Sequence, residues 1–115
     1  MYTINRSVAI IRPKQPFVDW ANSISEGEDF TVEDLNAECN AVLLPDYVAH
    51  NYDGLLLEDF FQGIFELELS SWTTDGSQWP KNIDYEEFLK WFDFELHSMV
   101  FDSLDEVIEK EPYSY

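Results

Sequence analysis

The chain has 115 residues, the length of one ordinary domain, and its 24 acidic against 6 basic residues give a net charge of −18 at pH 7. That balance argues against direct nucleic-acid binding and against docking on anionic lipid, both of which need basic surface, so any partner is expected to be basic. A hydrophobic content of 45%, with nine Phe, six Tyr and four Trp, separates it from disordered acidic chains. No apolar run is long enough to span a bilayer and the N-terminus lacks the order of a signal peptide, so a single compact cytoplasmic domain over residues 1–115 is expected.

Ser7 to Ile11, "SVAII", is β-branched and apolar on both alternating faces and reads as an inner strand ended by Pro13. Pro16 then suits the first turn of a helix whose apolar positions Phe17, Trp20, Ala21 and Ile24 recur at helical spacing, with Gly27 beyond its end. Thr31 followed three residues later by Asp34 predicts an N-cap for a helix of at most two turns. "CNAVLLP", Cys39 to Pro45, predicts a second strand stopped by proline, and Asp46 to Asp53 a loop.

From Leu55 to Leu69 the polar residues Glu58, Asp59, Gln62 and Glu66 fall on one narrow helical stripe. Apolar residues cover about half the circumference or more, wider than the roughly 100° stripe of an ordinary surface helix, which predicts a central helix or one that touches something besides its own core. Asp84 caps a further helix with Tyr85, Phe88, Leu89, Trp91 and Phe92 on its apolar face; Glu95 would point into that arc, so the helix is ended near Phe94. "LHSMVFD", Leu96 to Asp102, becomes the third strand, and "LDEVIEK" begins a tail as a short helix that frays from about residue 104. The order β-α-β-α-α-β implies an α+β or small α/β fold, a three-stranded sheet packed with about three helices, and the right-handed crossover rule makes the first two strands parallel if they are neighbours.

Motifs of known chemistry are absent: the four glycines are isolated, and there is no nucleophile elbow, no HExxH helix and no CxxC pair. The single Cys39 can form no internal disulfide and reads as an inert thiol, and His50 reads as a solvated loop residue. No cofactor or metal is expected. Two groupings remain. Arg12, Lys14, Asp19 and Trp20 gather where the first strand hands over to the first helix, a place suited to a small anionic ligand or, equally, to cations tied to acidic neighbours around a core tryptophan. Glu95 and His97 share one face of a strand, as a base pair or two metal ligands would, or as a histidine packed beside a glutamate.

The stretches "RPKQPFVDW" at Arg12 to Trp20, "TVEDLN" at Thr31 to Asn36, "LLPDY" at Leu43 to Tyr47, "WTTDGSQWP" at Trp72 to Pro80 and "WFDFELHSMVFD" at Trp91 to Asp102 resemble a family of small acidic bacterial proteins of unknown function. The resemblance covers most of the chain and implies one intact cytoplasmic domain. "LPDYVAHNYDGL", Leu44 to Leu55, is similar to a barstar segment running from a loop into an inhibitory helix; Leu57 stands where an acidic inhibitory residue is expected, so nuclease inhibition is not carried over.

The functional expectation is a non-enzymatic acidic interaction domain, acting as a homodimer or as the binder of a basic partner. The alternatives are a small anionic-ligand binder or enzyme using the Arg12, Lys14 and Trp20 junction or the Glu95 and His97 pair, and an acidic mimic of DNA.

Overall fold

The structure is a computed structural model that describes residues 1–46 and 56–114, with Leu56 described by its backbone alone. The expected loop after Asp46 and the barstar-like segment therefore lie largely outside the described residues. The fold is α+β. Strand β1 (Tyr2–Thr3) and strand β2 (Arg6–Pro13) lead into helix α1 (Gln15–Ile24) and helix α2 (Val32–Asn36), followed by strand β3 (Asn40–Pro45). Helix α3 (Leu56–Ser70), a 3-10 turn (Gly76–Gln78), helix α4 (Tyr85–Trp91), strand β4 (Phe92–His97) and strand β5 (Phe101–Asp102) complete the described elements.

Strand β2 is the middle of a three-stranded sheet, β3-β2-β4, as its apolar composition implies. Both neighbours are antiparallel to it, which corrects the expectation of a parallel first pair. The crossover rule assumes one helix that carries the chain back to the start of the strand. Here α1 makes that return journey and the following segment with α2 undoes it: the Asn36 amide Nδ2 donates to the Pro13 carbonyl at 2.8 Å. The chain is thus back at the end of β2 when β3 begins, and Asn40 pairs with Ile11.

Local signals set the helix starts. Thr31 and Asp34 form a reciprocal capping box, with Thr31 Oγ1 accepting from Asp34 N at 3.1 Å and Asp34 Oδ2 accepting from Thr31 N at 2.9 Å. Asp84 caps α4 by accepting from Glu87 N at 2.8 Å. Gly27, just past α1, takes φ of 78°, the left-handed conformation that costs glycine least.

The end of α4 is three residues earlier than Phe94. Phe92 is already extended and opposite Pro13, and the Trp91 carbonyl accepts from Lys14 N at 2.8 Å, so pairing with β2 overrides the helical pattern. The strand expected over Leu96–Asp102 accordingly runs Phe92–His97. Phe101–Asp102 instead pair with Tyr2–Thr3 in a separate two-stranded sheet. The helix expected at "LDEVIEK" is absent. Leu104 N is held by the Asp102 carboxylate at 2.9 Å, and Val107 is 91% exposed, so no apolar face covers this stretch; a helix so short is marginal in water without one.

One face of the sheet is covered. Ser7, Ala9, Ile11 and Pro13 of β2 are buried beneath the helices, against Phe17 of α1, Phe65 and Leu69 of α3, Phe88 of α4 and Phe92 of β4. Phe65 ties α3 to its neighbours: its ring lies 5.4 Å from Phe92, 5.6 Å from Trp91 and 5.9 Å from Phe88 in tilted and edge-to-face arrangements. Burying each such ring stabilises the fold by roughly 1.5–3 kcal/mol. The other sheet face, with Arg6, Val8, Ile10 and Arg12 from β2, is half-exposed. Among the described residues no helix is long and apolar enough to cross a membrane.

Candidate functional site: an acidic cleft beside the sheet

The two groupings expected from the sequence do not assemble as expected. Arg12 projects from the half-exposed sheet face, while Trp20 packs against the core beneath the other face and donates from Nε1 to the Gln78 carbonyl at 2.8 Å. Lys14 Nζ donates to the Leu89 carbonyl at 3.1 Å, and Asp19 accepts from Gln15 Nε2 at 2.8 Å. The four residues thus make separate contacts rather than one site.

Arg12 instead joins the second grouping. Register places Arg12 beside the strand that carries Glu95, and its Nε and NH2 both lie 2.9 Å from Glu95 Oε1. Glu95 Oε2 lies 3.3 Å from His97 Nε2. The Arg12 hydrogen bond, then that of His97, holds the Glu95 carboxyl below its ordinary range, and Glu95 in turn raises the Arg12 guanidinium. Arg12 also donates from NH1 to Cys39 Sγ at 3.8 Å. The side chains of Arg12 and Glu95 remain 40% and 48% exposed, so this is a surface ion-pair row that ties β2 to β4.

The largest concavity among those described lies elsewhere, a cleft of about 860 Å³ between the 28–40 segment and the C-terminal end of α3. Its floor is apolar, built from Ile11, Pro13, Phe17 and Leu35. Its rim is formed by Glu28, Asp29, Glu33, Asp34 and Glu38, and no lysine or arginine among the described residues lines it.

The rim is held in place by side-chain clamps. Asn22 of α1 grips Phe30 through both backbone groups, donating from Nδ2 to the Phe30 carbonyl at 2.9 Å and accepting from Phe30 N at 2.8 Å. The Phe30 ring then meets Trp72 edge-on, centroids 5.2 Å apart at 76°. Asn36, through its bond to Pro13, closes the other end.

Inside the cleft sits Glu68, 6% exposed on the buried side of α3. Its Oε1 accepts from Asn40 Nδ2 at 2.9 Å. Burial pushes this carboxyl above the ordinary glutamate range, and the Asn40 bond only partly offsets that. Glu68 was not among the sequence candidates, yet its signal was legible: it stands three and four residues after Phe65 and Ile64, inside the apolar arc of α3. The rim carboxylates were visible as a stretch from Glu26 to Glu38 with six acids and no base.

A second concavity, about 390 Å³, lies where the chain ends meet, with Tyr2, Ile4, Leu43, Leu104, Val107 and Ile108 as its apolar lining. It carries both charge signs, Arg6 and Lys110 against Asp102, Asp105 and Glu106. The apolar circumference of α3 is largely absorbed by the core, with Phe60 left 41% exposed. Among the described residues no group of three or more His, Cys, Asp and Glu is arranged to hold a metal ion. No protein-family model matches the chain, and no curated protein or solved structure is significantly similar to it.

Proposed function

We propose that this protein is a non-enzymatic interaction domain that binds a basic protein partner, and that the partner's cations enter the cleft between α2 and the end of α3. The observation that carries this reading is a roomy concavity with an apolar floor, five carboxylates at its rim and no lysine or arginine among the described residues that line it. Its size falls within the range of roughly 300–1,000 Å³ typical of ligand sites. The 390 Å³ groove at the chain ends offers no such charge bias. Like-signed charge around a concave, low-dielectric site focuses potential and speeds encounter with an oppositely charged partner.

The experiment separates the cleft from the general acidity of the chain. One variant neutralises the rim by Glu28→Gln, Asp29→Asn, Glu33→Gln and Glu38→Gln, sparing the capping residue Asp34. A control removes the same charge at the exposed Asp59, Glu86, Asp105 and Glu109. Titrated with a lysine- and arginine-rich peptide, the rim variant is expected to lose affinity about tenfold or more relative to the control, and both to weaken with salt. Equal losses in the two variants would reduce the interaction to undirected acidity and refute the cleft as its site.

A further inference from the structure

We propose that the cleft is an arginine pocket, in which Glu68 receives the guanidinium of an arginine on the partner and the Trp72–Phe30 pair stacks against it. This rests on the reading of the cleft as the entry point for a basic partner and adds which residue is recognised and by what.

Glu68 is the anomaly that calls for an occupant. The neighbouring inward positions of α3 are Ile64, Phe65 and Leu69, all apolar, and Glu68 alone of this face carries a charge. A carboxylate withdrawn from water needs partners for both oxygens. Asn40 serves Oε1 from one side; no buried side-chain oxygen among the described residues lacks a partner, so Oε2 is left to the solvent of the cleft that Glu68 lines. A donor arriving through the cleft would take that solvent's place, and no described lysine or arginine lines it.

The surroundings select arginine over lysine. A guanidinium is planar, presents paired N–H groups that match a carboxylate, and is more weakly hydrated than an ammonium, so it gives up less on entering a largely buried site. Trp72 is half-buried at the cleft wall, its ring fixed by the edge-on contact with Phe30, and a tryptophan face is the best aromatic surface for a guanidinium. Leu35, half-buried at the cleft, suits the methylene stem of a long cationic side chain. The rim carboxylates attract either cation, so specificity falls to Glu68 and Trp72.

The test uses two short peptides identical except at the centre, one with a single arginine among lysines and one with lysine throughout. They are titrated into the isotope-labelled full chain by NMR, with the Asn40 side-chain amide and the Trp72 indole N–H as reporters. The arginine peptide is expected to bind about tenfold more tightly, the scale of one hydrogen-bonded charge pair, and to shift both reporters. Glu68→Gln, which retains the acceptor for Asn40, is expected to erase that preference while leaving the lysine peptide within about twofold. Trp72→Leu is expected to reduce the preference with Glu68 intact. Equal affinity for the two peptides in the parent chain, or equal weakening of both by Glu68→Gln, would overturn the arginine pocket while the basic-partner reading stood. Failure of both peptides to bind at low salt would overturn the two together.

Discussion

Glu68 carries a cost in stability that the proposed arginine pocket would offset on binding. Its carboxyl is raised chiefly by burial, so the native state holds the proton more tightly than the unfolded chain does. Stability is therefore withdrawn as the pH rises from the ordinary glutamate value through the raised native one, and the penalty is constant above it. Glu68→Gln removes the ionisable group and keeps the Asn40 bond. Its stability margin over the parent chain is expected to widen between about pH 4 and about pH 7, as read from urea midpoints at the two pH values. A margin that narrowed over that interval would mean the carboxylate is not penalised by its site. The Arg12, Glu95 and His97 row is the contrast: its carboxyl is lowered, it lies on the surface, and it joins two strands.

At the scale of elements, the helices differ in what holds them. Helix α4 has only seven residues, too few to be stable alone, and depends on its Asp84 cap and on Phe88 in the core. Helix α3 is anchored by Phe65, whose ring touches residues of α4 and β4 at once. Phe65→Ala is therefore expected to cost about 3–5 kcal/mol and Asp84→Ala about 1 kcal/mol in chemical denaturation. A smaller loss for Phe65 than for Asp84 would show that the aromatic cluster is not the core's centre. Three of the helix starts, at Pro16, Thr31 and Asp84, were legible because proline and capping chemistry act within one turn. Strand β4 was displaced because its start depends on Phe92 meeting Pro13, a contact between residues nearly eighty positions apart.

For the whole molecule, the charge of −18 opposes the compact state through self-repulsion. At about 0.01 M salt the screening length is roughly 30 Å, comparable with the 29 Å second dimension of the fold, so the carboxylates repel across most of its width. At about 0.15 M it falls to roughly 8 Å. Thermal stability is expected to rise by a few degrees between these two conditions while affinity for a basic peptide falls, because salt weakens the repulsion within the chain and the attraction to a cationic peptide alike. Stability that fell with added salt would imply that the ion pairs outweigh the repulsion.

Much of the molecule was written in local sequence. The α+β class, the central place of the "SVAII" strand, the capping box and the shared face of Glu95 and His97 all follow from patterns within a few residues, where sterics and backbone hydrogen bonding decide. Strand direction, the pairing of the chain ends and the site itself were decided only by tertiary structure. The return of α2 to Pro13 made the sheet antiparallel, and the folding of the acidic 28–38 segment over α3 turned scattered carboxylates into a cleft around Glu68. These depend on which distant surfaces bury one another, and that is a property of the packed chain rather than of any stretch within it.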